Sequence, residues 1–199
     1  MIQDVKALPV SFYFSPDGTT SFFIPKYQRE YVWGGKNWDA LFNDLEESPS
    51  GHFLGSIICV NTQQDGMAGG RLELIDGQQR FTTISLLFCA FYGKLNAIPN
   101  PDRRLLVELD NLESRIFVRA SGQWRLEPSE QAQNKTDFQK VLSDLFPKQV
   151  KAPKGLSNFG NRRIARAYRY FCERLEGRSQ DSALALLEKL KAAMLVKIE

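Results

Sequence analysis

Apolar positions along the chain follow two periods, one typical of strands and the other typical of helices. Extended or alternating runs predict strands at 10–14, 21–24, 53–60, 71–75 and 194–199, with a hairpin formed by 115–119 and 123–127. Apolar residues spaced by three and four predict helices at 37–47, 81–95, 137–146, 161–176 and 182–193. This mixture predicts an α+β fold in which a small mixed sheet is flanked by helices and followed by a mainly helical C-terminal part.

Two prolines at positions 99 and 101 interrupt the pattern near the middle of the chain. We therefore expect a core domain at 1–98 and a second part at 99–199, which contains the hairpin and the later helices. The apolar strand at 194–199 stands at the end of the sequence. We expect from this a domain that is truncated at its C-terminus.

Polar residues with possible functional roles cluster at the junction between strand 71–75 and the helix after it. Asp76 and Gly77 form a turn, and Gly77 permits close backbone approach or a positive φ. N–H groups at the start of a helix lack partners and the helix dipole favours negative charge, so this turn can bind an anion. Arg80 adds a planar guanidinium that suits phosphate. Asp76 can cap the helix or, beside a bound nucleotide, hold Mg²⁺.

Further polar side chains extend this candidate anion site. Gln78 and Gln79 offer amide donors and acceptors, and Thr82 and Thr83 place hydroxyls in the first helical turn, where they can contact a phosphate oxygen. An alternative stays open at this point. Asp-Gly is a common turn pair, and an arginine in a first helical turn is often a solvated charge.

A segment that mixes aromatic and polar residues precedes helix 37–47. Tyr27 offers a ring on which a base can stack, and Arg29 can contact a phosphate. Gln28, between them, adds an amide. Trp33 is expected to pack against the helix that follows, for which Asn37 is a plausible N-cap.

Helix 161–176 carries five arginines around an apolar stripe. Three of them are candidates for binding the phosphates of a nucleic-acid backbone: Arg162, Arg163 and Arg166. A solvated helix face with glutamates as partners is the alternative. The net charge of +3 is too small to indicate nucleic-acid binding by itself.

Composition narrows the function classes. The chain has 199 residues, 43% hydrophobic and 25% charged, which is ordinary for a globular protein. It has no apolar run long enough to span a membrane and no secretory signal, and its three cysteines are expected to be reduced thiols in a cytoplasmic protein. A single histidine argues against a Cys/His zinc site and an HNH-type nuclease centre, and the lack of a Walker A loop excludes a P-loop enzyme.

Three blocks resemble motifs of the GmrSD-type modification-dependent restriction family. Residues 75–83 read Ile-Asp-Gly-Gln-Gln-Arg-Phe-Thr-Thr, residues 24–33 read Ile-Pro-Lys-Tyr-Gln-Arg-Glu-Tyr-Val-Trp, and residues 53–57 read Phe-Leu-Gly-Ser-Ile. The resemblance covers residues 22–92 and implies a ParB/sulfiredoxin-like fold for the core domain. The family often carries a nuclease module further along the chain, and this sequence does not contain one, so a nuclease domain or subunit is an expected partner.

The resemblance implies an anti-phage defence protein that binds a nucleoside triphosphate with Mg²⁺, hydrolyses it and senses DNA. The implied nucleotide-binding residues are Arg29, Gly77, Arg80, Thr82 and Thr83. The implied catalytic residues are Asp76, Gln78, Gln79 and Arg80, with Asp76 also the implied Mg²⁺ ligand. The alternative is a non-hydrolysing module that recognises modified DNA. In either case the expected DNA-binding residues are Tyr27, Gln28, Arg162, Arg163 and Arg166.

Overall fold

The computed structural model describes residues 5–61, 70–156 and 158–199. In these ranges the strands are β1 (Val5–Pro9), β2 (Ser21–Phe23), β3 (Phe53–Asn61), β4 (Arg71–Asp76), β5 (Leu126–Glu127) and β6 (Met194–Ile198). The helices are α1 (Val10–Tyr13), α2 (Gly35–Glu47), α3 (Gln78–Asn96), α4 (Arg103–Ile116), α5 (Asn134–Leu145), α6 (Arg163–Leu175) and α7 (Gln180–Ala192), with short 3₁₀ turns at Gln131–Gln133 and Phe159–Asn161. The α+β class is therefore confirmed.

The strands form one mixed sheet in the order β1-β6-β3-β4-β2-β5. Strands β3 and β4, which are neighbours in the sequence, pair antiparallel, while β2 lies parallel to both β4 and β5. Strand β6 enters between β1, to which it is antiparallel, and β3, to which it is parallel. Strands from both 1–98 and 99–199 thus share the sheet, and the division into two parts at residue 98 stays a prediction.

Two predicted strands are wrong. Residues 10–14 contain the helical turn α1. Val10, Tyr13 and Phe14 are all buried, and buried residues three and four positions apart lie on one face of a helix, whereas a strand would bury every second residue. Residues 115–119 begin as the last turn of α4, whose N-cap Asp102 accepts a hydrogen bond from the Leu105 amide at 2.7 Å. Only a single bridge between Phe117 and Trp124 remains of the expected hairpin among the described residues.

Helix α2 also begins earlier than expected. Gly34 is its N-cap residue, and Asn37 lies in the first turn. The Asn37 side chain accepts a hydrogen bond from the Gly34 amide at 3.3 Å, so it bonds back to the N-cap residue from the first turn of the helix. Asn37 is therefore wrong as the N-cap.

Helix α3 occupies the centre of the core. The sequence predicts one apolar stripe, yet every residue from Phe81 to Phe91 is buried. The sheet contributes part of this cover, as Phe22 of β2 packs on Phe81 with ring centroids 4.5 Å apart. Helices α4 and α6 also pack against α3. A helix enclosed in this way has no wet face, so its only solvent-facing chemistry lies at its ends.

None of the helices within the three described ranges has the length and apolar character that a membrane crossing requires.

A buried cation joins the sheet to the helices. The side chain of Arg125, 1% exposed, donates hydrogen bonds to the carbonyl oxygens of Ser15 (2.9 Å), Gly18 (2.8 Å), Thr20 (2.7 Å) and Ser114 (2.8 Å). Ser114 belongs to the last turn of α4, where the helix dipole is negative. Burial lowers the pKa of Arg125 to about 10, so the side chain is charged at neutral pH.

We expect Arg125→Met to lower the free energy of unfolding by about 3–5 kcal/mol, because it leaves several buried carbonyl groups without a donor. Urea denaturation measures the loss. Arg119→Met is the matched control, since Arg119 is about half exposed and pairs with Asp110 at the surface. It should cost about 0–1 kcal/mol. Equal losses in the two variants would contradict the role assigned to Arg125.

Candidate functional site

The candidate site is organised by the turn between β4 and α3. Gly77 has a φ of 82° and is the N-cap residue of α3, so the prediction that Asp76 caps the helix is wrong. A Cβ atom on Gly77 would lie 2.8 Å from Ile57 Cγ2 and 2.9 Å from the Ser56 carbonyl oxygen of β3. Only glycine fits both the backbone conformation and the space. No side chain of the described residues caps this end of α3, which leaves its first N–H groups for a ligand.

An open cleft of about 390 Å³ lies directly in front of this turn. It is lined by Arg29, Trp33, Phe53, Gly55, Ser56, Asp76, Gly77, Gln78, Gln79 and Arg80. We refer to it as the 76–80 cleft. All three sequence blocks that were singled out contribute to its walls.

Arg80 lies on the floor of the 76–80 cleft. A Cβ atom on Gly55 would be 2.7 Å from Arg80 Cζ, so the guanidinium lies directly against the Gly55 backbone. Its Nη1 donates to the Ser56 carbonyl oxygen at 3.1 Å. Burial lowers the pKa of Arg80, and the nearby Asp76 carboxylate partly opposes this effect. A guanidinium has five N–H donors, so Arg80 keeps donors for an anion.

Two exposed charges of opposite sign stand at the opening of this cleft. The side chain of Arg29 makes no hydrogen bond or ion pair with another described residue. Asp76 presents its carboxylate from the end of β4. In the described parts of the chain no group of three His, Cys, Asp or Glu side chains could hold a metal ion. Asp76 fits Mg²⁺ as a single ligand beside phosphate oxygens, because this ion commonly takes one or two carboxylates and completes its shell with phosphate and water.

The glutamines of the turn hold the segment that precedes α2. Gln79, 5% exposed, accepts hydrogen bonds from the amides of Val32 (2.7 Å) and Trp33 (3.3 Å) and donates to the Glu30 carbonyl oxygen at 2.9 Å. Both ends of its amide are thus occupied, so the catalytic role that the resemblance implies for Gln79 has no support from this geometry.

Gln28 and Gln78 add a second link between the same two segments. Gln28 Nε2 donates to the Ile75 carbonyl oxygen at 2.9 Å, and Gln78 Nε2 donates to Gln28 Oε1 at 3.2 Å. The segment that contains Arg29 is therefore fixed on both sides of that residue. Gln78 keeps its Oε1 as an acceptor.

The two threonines of the first helical turn are not brought to the cleft. Thr82 and Thr83 are 2% and 0% exposed, and neither lines it. The Thr83 hydroxyl bonds the Gln79 carbonyl oxygen at 2.8 Å and the Tyr31 hydroxyl at 2.7 Å. Tyr31 in turn accepts from Trp38 Nε1 at 2.8 Å, which ties α2 to α3. Burial raises the pKa of Tyr31, so this chain of hydroxyls is neutral.

Comparison with known proteins decides the family. Residues 13–199 match the family described as GmrSD restriction endonuclease, N-terminal domain. The chain belongs to this family. The match includes the whole 76–80 cleft and most of the described chain, so this GmrSD N-terminal domain is a domain of a restriction system. No curated protein matches it.

The DNA-binding candidates of this GmrSD domain lie in different surroundings. Tyr27 is 71% exposed, and its hydroxyl donates to the Glu73 carboxylate, which raises the pKa of Tyr27. Arg162 pairs with the buried Asp137 at 2.5 Å. Arg163 donates to the Val32 carbonyl oxygen at 3.0 Å, beside the loop that carries Trp33. Arg166 is exposed.

Four cleft-lining residues of the GmrSD domain had no predicted role in ligand binding: Trp33, Phe53, Gly55 and Ser56. Phe53 is 56% exposed although it begins a strand, and Trp33 is only partly buried. A glycine inside a strand run indicates close approach of another group, and Gly55 gave that signal. The sequence gave no such signal at Trp33, because an aromatic residue before a helix can equally pack against that helix.

We expect Gln79→Met to release segment 30–33, because the buried amide bonds three backbone groups of that segment. The free energy of unfolding should fall by about 2–3 kcal/mol, and the Val32 amide should exchange its hydrogen much faster. Gln78→Met, in the same helical turn, removes one bond to Gln28 and leaves Val32 protected. Equal exchange at Val32 in the two variants would contradict this assignment.

Gly55→Ala should displace Arg80, because the new methyl group would occupy the place of the guanidinium. Gly51→Ala is the matched control: Gly51 also has a positive φ, of 87°, but nothing lies within 4 Å of its added Cβ. We expect the control to lose about 1–2 kcal/mol in urea unfolding and Gly55→Ala to lose more. The NMR signal of the Arg80 Nε–H group should shift in Gly55→Ala alone. A signal unchanged by Gly55→Ala would refute the contact.

Proposed function

We propose that this domain binds a nucleoside triphosphate with Mg²⁺ in the 76–80 cleft, hydrolyses it and senses DNA as part of a restriction system. One observation carries the proposal. Two arginines, Arg29 and Arg80, reach the same cleft as the uncapped start of α3. Guanidinium groups and helix N-terminal amides are the commonest protein partners of phosphate.

The phosphate end of the ligand is assigned to the floor of the cleft. Arg80 is held against Gly55 before any ligand arrives, so little of its conformational freedom has to be lost on binding. Arg29 is exposed and can close on the phosphates from the opening. Phosphoryl transfer is catalysed mainly by positioning and charge stabilisation, which these two side chains can supply.

The base end of the ligand is assigned to the aromatic wall. Phe53 and Trp33 line the cleft together with the arginines, and Phe53 keeps 56% of its surface exposed. An exposed ring beside a phosphate site is a surface on which a base can stack.

Asp76 is the residue proposed to hold Mg²⁺, which when bound would neutralise phosphate charge. Of the two glutamines of the turn, Gln78 is the one that can orient the attacking water. Its Oε1 has no donor among the described residues, whereas both ends of the Gln79 amide are occupied. Gln78 also contacts Gln28, so it is held next to the segment that carries Arg29.

Calorimetry with nucleoside triphosphates and Mg²⁺ tests the proposal. We expect binding by the wild-type domain and an affinity at least about 10-fold lower in Arg80→Gln, since a charge-assisted phosphate contact is lost. Arg103→Gln is the control, because Arg103 also lies in the first turn of a helix but is outside the cleft; the affinity of this variant should be unchanged. Phosphate release, with and without DNA, then measures turnover. No binding by a folded wild-type domain would refute the nucleotide site.

A non-hydrolysing module that recognises modified DNA is the second candidate. The exposure of Tyr27 and the position of Arg163 beside the Trp33 loop favour it. In this case DNA binding should need no nucleotide and should weaken steeply with salt. Tyr27→Ala and Arg166→Gln should then lower DNA affinity.

A further inference from the structure

Segment 24–34, which brings Arg29 and Trp33 to the 76–80 cleft, is irregular. It connects β2 to α2 within the described range 5–61 and belongs to neither a strand nor a helix. Backbone groups of such a segment are not paired along a ladder, so its shape depends on the side chains that bond to it. The partners of Val32 therefore decide where the next residue, Trp33, stands in the cleft.

Both backbone groups of Val32 bond to side chains of other elements. Its N–H group donates to Gln79 Oε1 at 2.7 Å, and its carbonyl oxygen accepts from Arg163 Nη1 at 3.0 Å. A Cβ atom on Gly34 would lie 3.8 Å from the same Nη1, so the guanidinium also lies beside the residue that follows Trp33. The Trp33 end of segment 24–34 is thus held by one side chain from α3 and one from α6.

The start of α6 is itself anchored on both sides of Arg163. Arg162 pairs with the buried Asp137 of α5 at 2.5 Å. Ile164 is 0% exposed and borders the same small gap behind segment 24–34 as Tyr31. Because both sequence neighbours are anchored, the backbone of Arg163 has a fixed position relative to the segment that its guanidinium contacts.

The Arg29 end of segment 24–34 has a different support. Arg29 follows Gln28, and Gln28 Nε2 donates to the carbonyl oxygen of Ile75 at 2.9 Å. This bond connects the segment to β4 and does not involve α6. Loss of the Arg163 side chain should therefore displace Trp33 and leave Arg29 in place.

We propose that Arg163 is a positioning residue for the base of the nucleotide, because it holds Trp33 in the cleft through the Val32 carbonyl group. This inference rests on the proposed function, in which a nucleoside triphosphate occupies the 76–80 cleft. Stacking of a base depends on the distance and angle of the aromatic ring, so a displaced Trp33 loses it. The polyphosphate keeps its contacts with Arg80 and the start of α3.

Calorimetry with two ligands separates the two ends of the cleft. The ligands are the Mg²⁺ complexes of inorganic tripolyphosphate, which has no base, and of the nucleoside triphosphate that binds most tightly among ATP, GTP, CTP and UTP. We expect Arg163→Met to bind the nucleoside triphosphate at least about 5-fold more weakly than the wild-type domain does, since the stacked base is lost. Its affinity for tripolyphosphate should be unchanged.

Arg169→Met is the matched control. Arg169 is an exposed arginine of the same helix and also donates to one backbone carbonyl group, that of Gly160 at 2.8 Å, but it lies outside the cleft. This variant should bind both ligands as the wild-type domain does.

The outcomes separate a failure of this inference from a failure of the proposed function. A folded wild-type domain that binds no nucleoside triphosphate would refute the nucleotide site and, with it, the role of Arg163. Nucleotide binding that Arg163→Met leaves unchanged, or a loss of equal size for both ligands, would overturn the role of Arg163 alone. Wild-type binding of the nucleoside triphosphate without binding of tripolyphosphate would also overturn it, because the two ends would then not bind separately.

Hydrogen exchange tests the support in the absence of a ligand. In Arg163→Met the amides of Val32 and Trp33 should exchange faster than in the wild-type domain, because the segment is then held by Gln79 alone at this end. The amide of Leu87, in the buried part of α3, should stay protected and show that the variant is folded. Equal protection of the Val32 amide in the variant and the wild-type domain would overturn the proposal.

Discussion

The absence of a side chain at position 77 is the constraint on which the site depends. The turn backbone approaches β3 so closely that a methyl group would collide with Ile57 and with the Ser56 carbonyl group. This contact fixes where β4 ends and α3 begins. Because α3 is buried almost throughout its length, the same contact also sets the position of the core helix against the sheet. The geometry of the cleft and the packing of the interior thus share one origin.

The polar residues of the motif divide into two groups. Gln79 and Thr83 are used inside the protein, where they hold the segment before α2 and the start of that helix. Asp76, Gln78 and Arg80 line the cleft, as Gln79 does, but they keep polar atoms that no described residue occupies. Arginines elsewhere divide in the same way: Arg125 and Arg162 have structural partners, whereas Arg29 extends into solvent. Neighbouring residues of one motif thus have different tasks: some hold the backbone around the cleft, and others present polar groups to it.

The sequence was most informative where a local pattern determines structure. The hairpin of β3 and β4, the turn at Gly77 and the amphipathic helices follow from periodicity and turn chemistry. It failed at residues 10–14 and 115–119, where short apolar runs suit either period and long-range packing decides. The assignment of Thr82 and Thr83 to phosphate could not be judged from spacing, because their burial depends on α2 and Tyr31. The burial of Arg125 gave no local signal at all.

The position of β6 has a consequence for how the domain folds. Its neighbours in the sheet are β1, from the other end of the sequence, and β3, whose first residue, Phe53, pairs with Met194 and lines the cleft. These pairings join residues that are far apart in sequence, and contacts of this kind slow folding. During synthesis on the ribosome, β3 lacks this neighbour until β6 emerges. The wall of the cleft that contains Phe53 is therefore completed only when β6 has paired with β3.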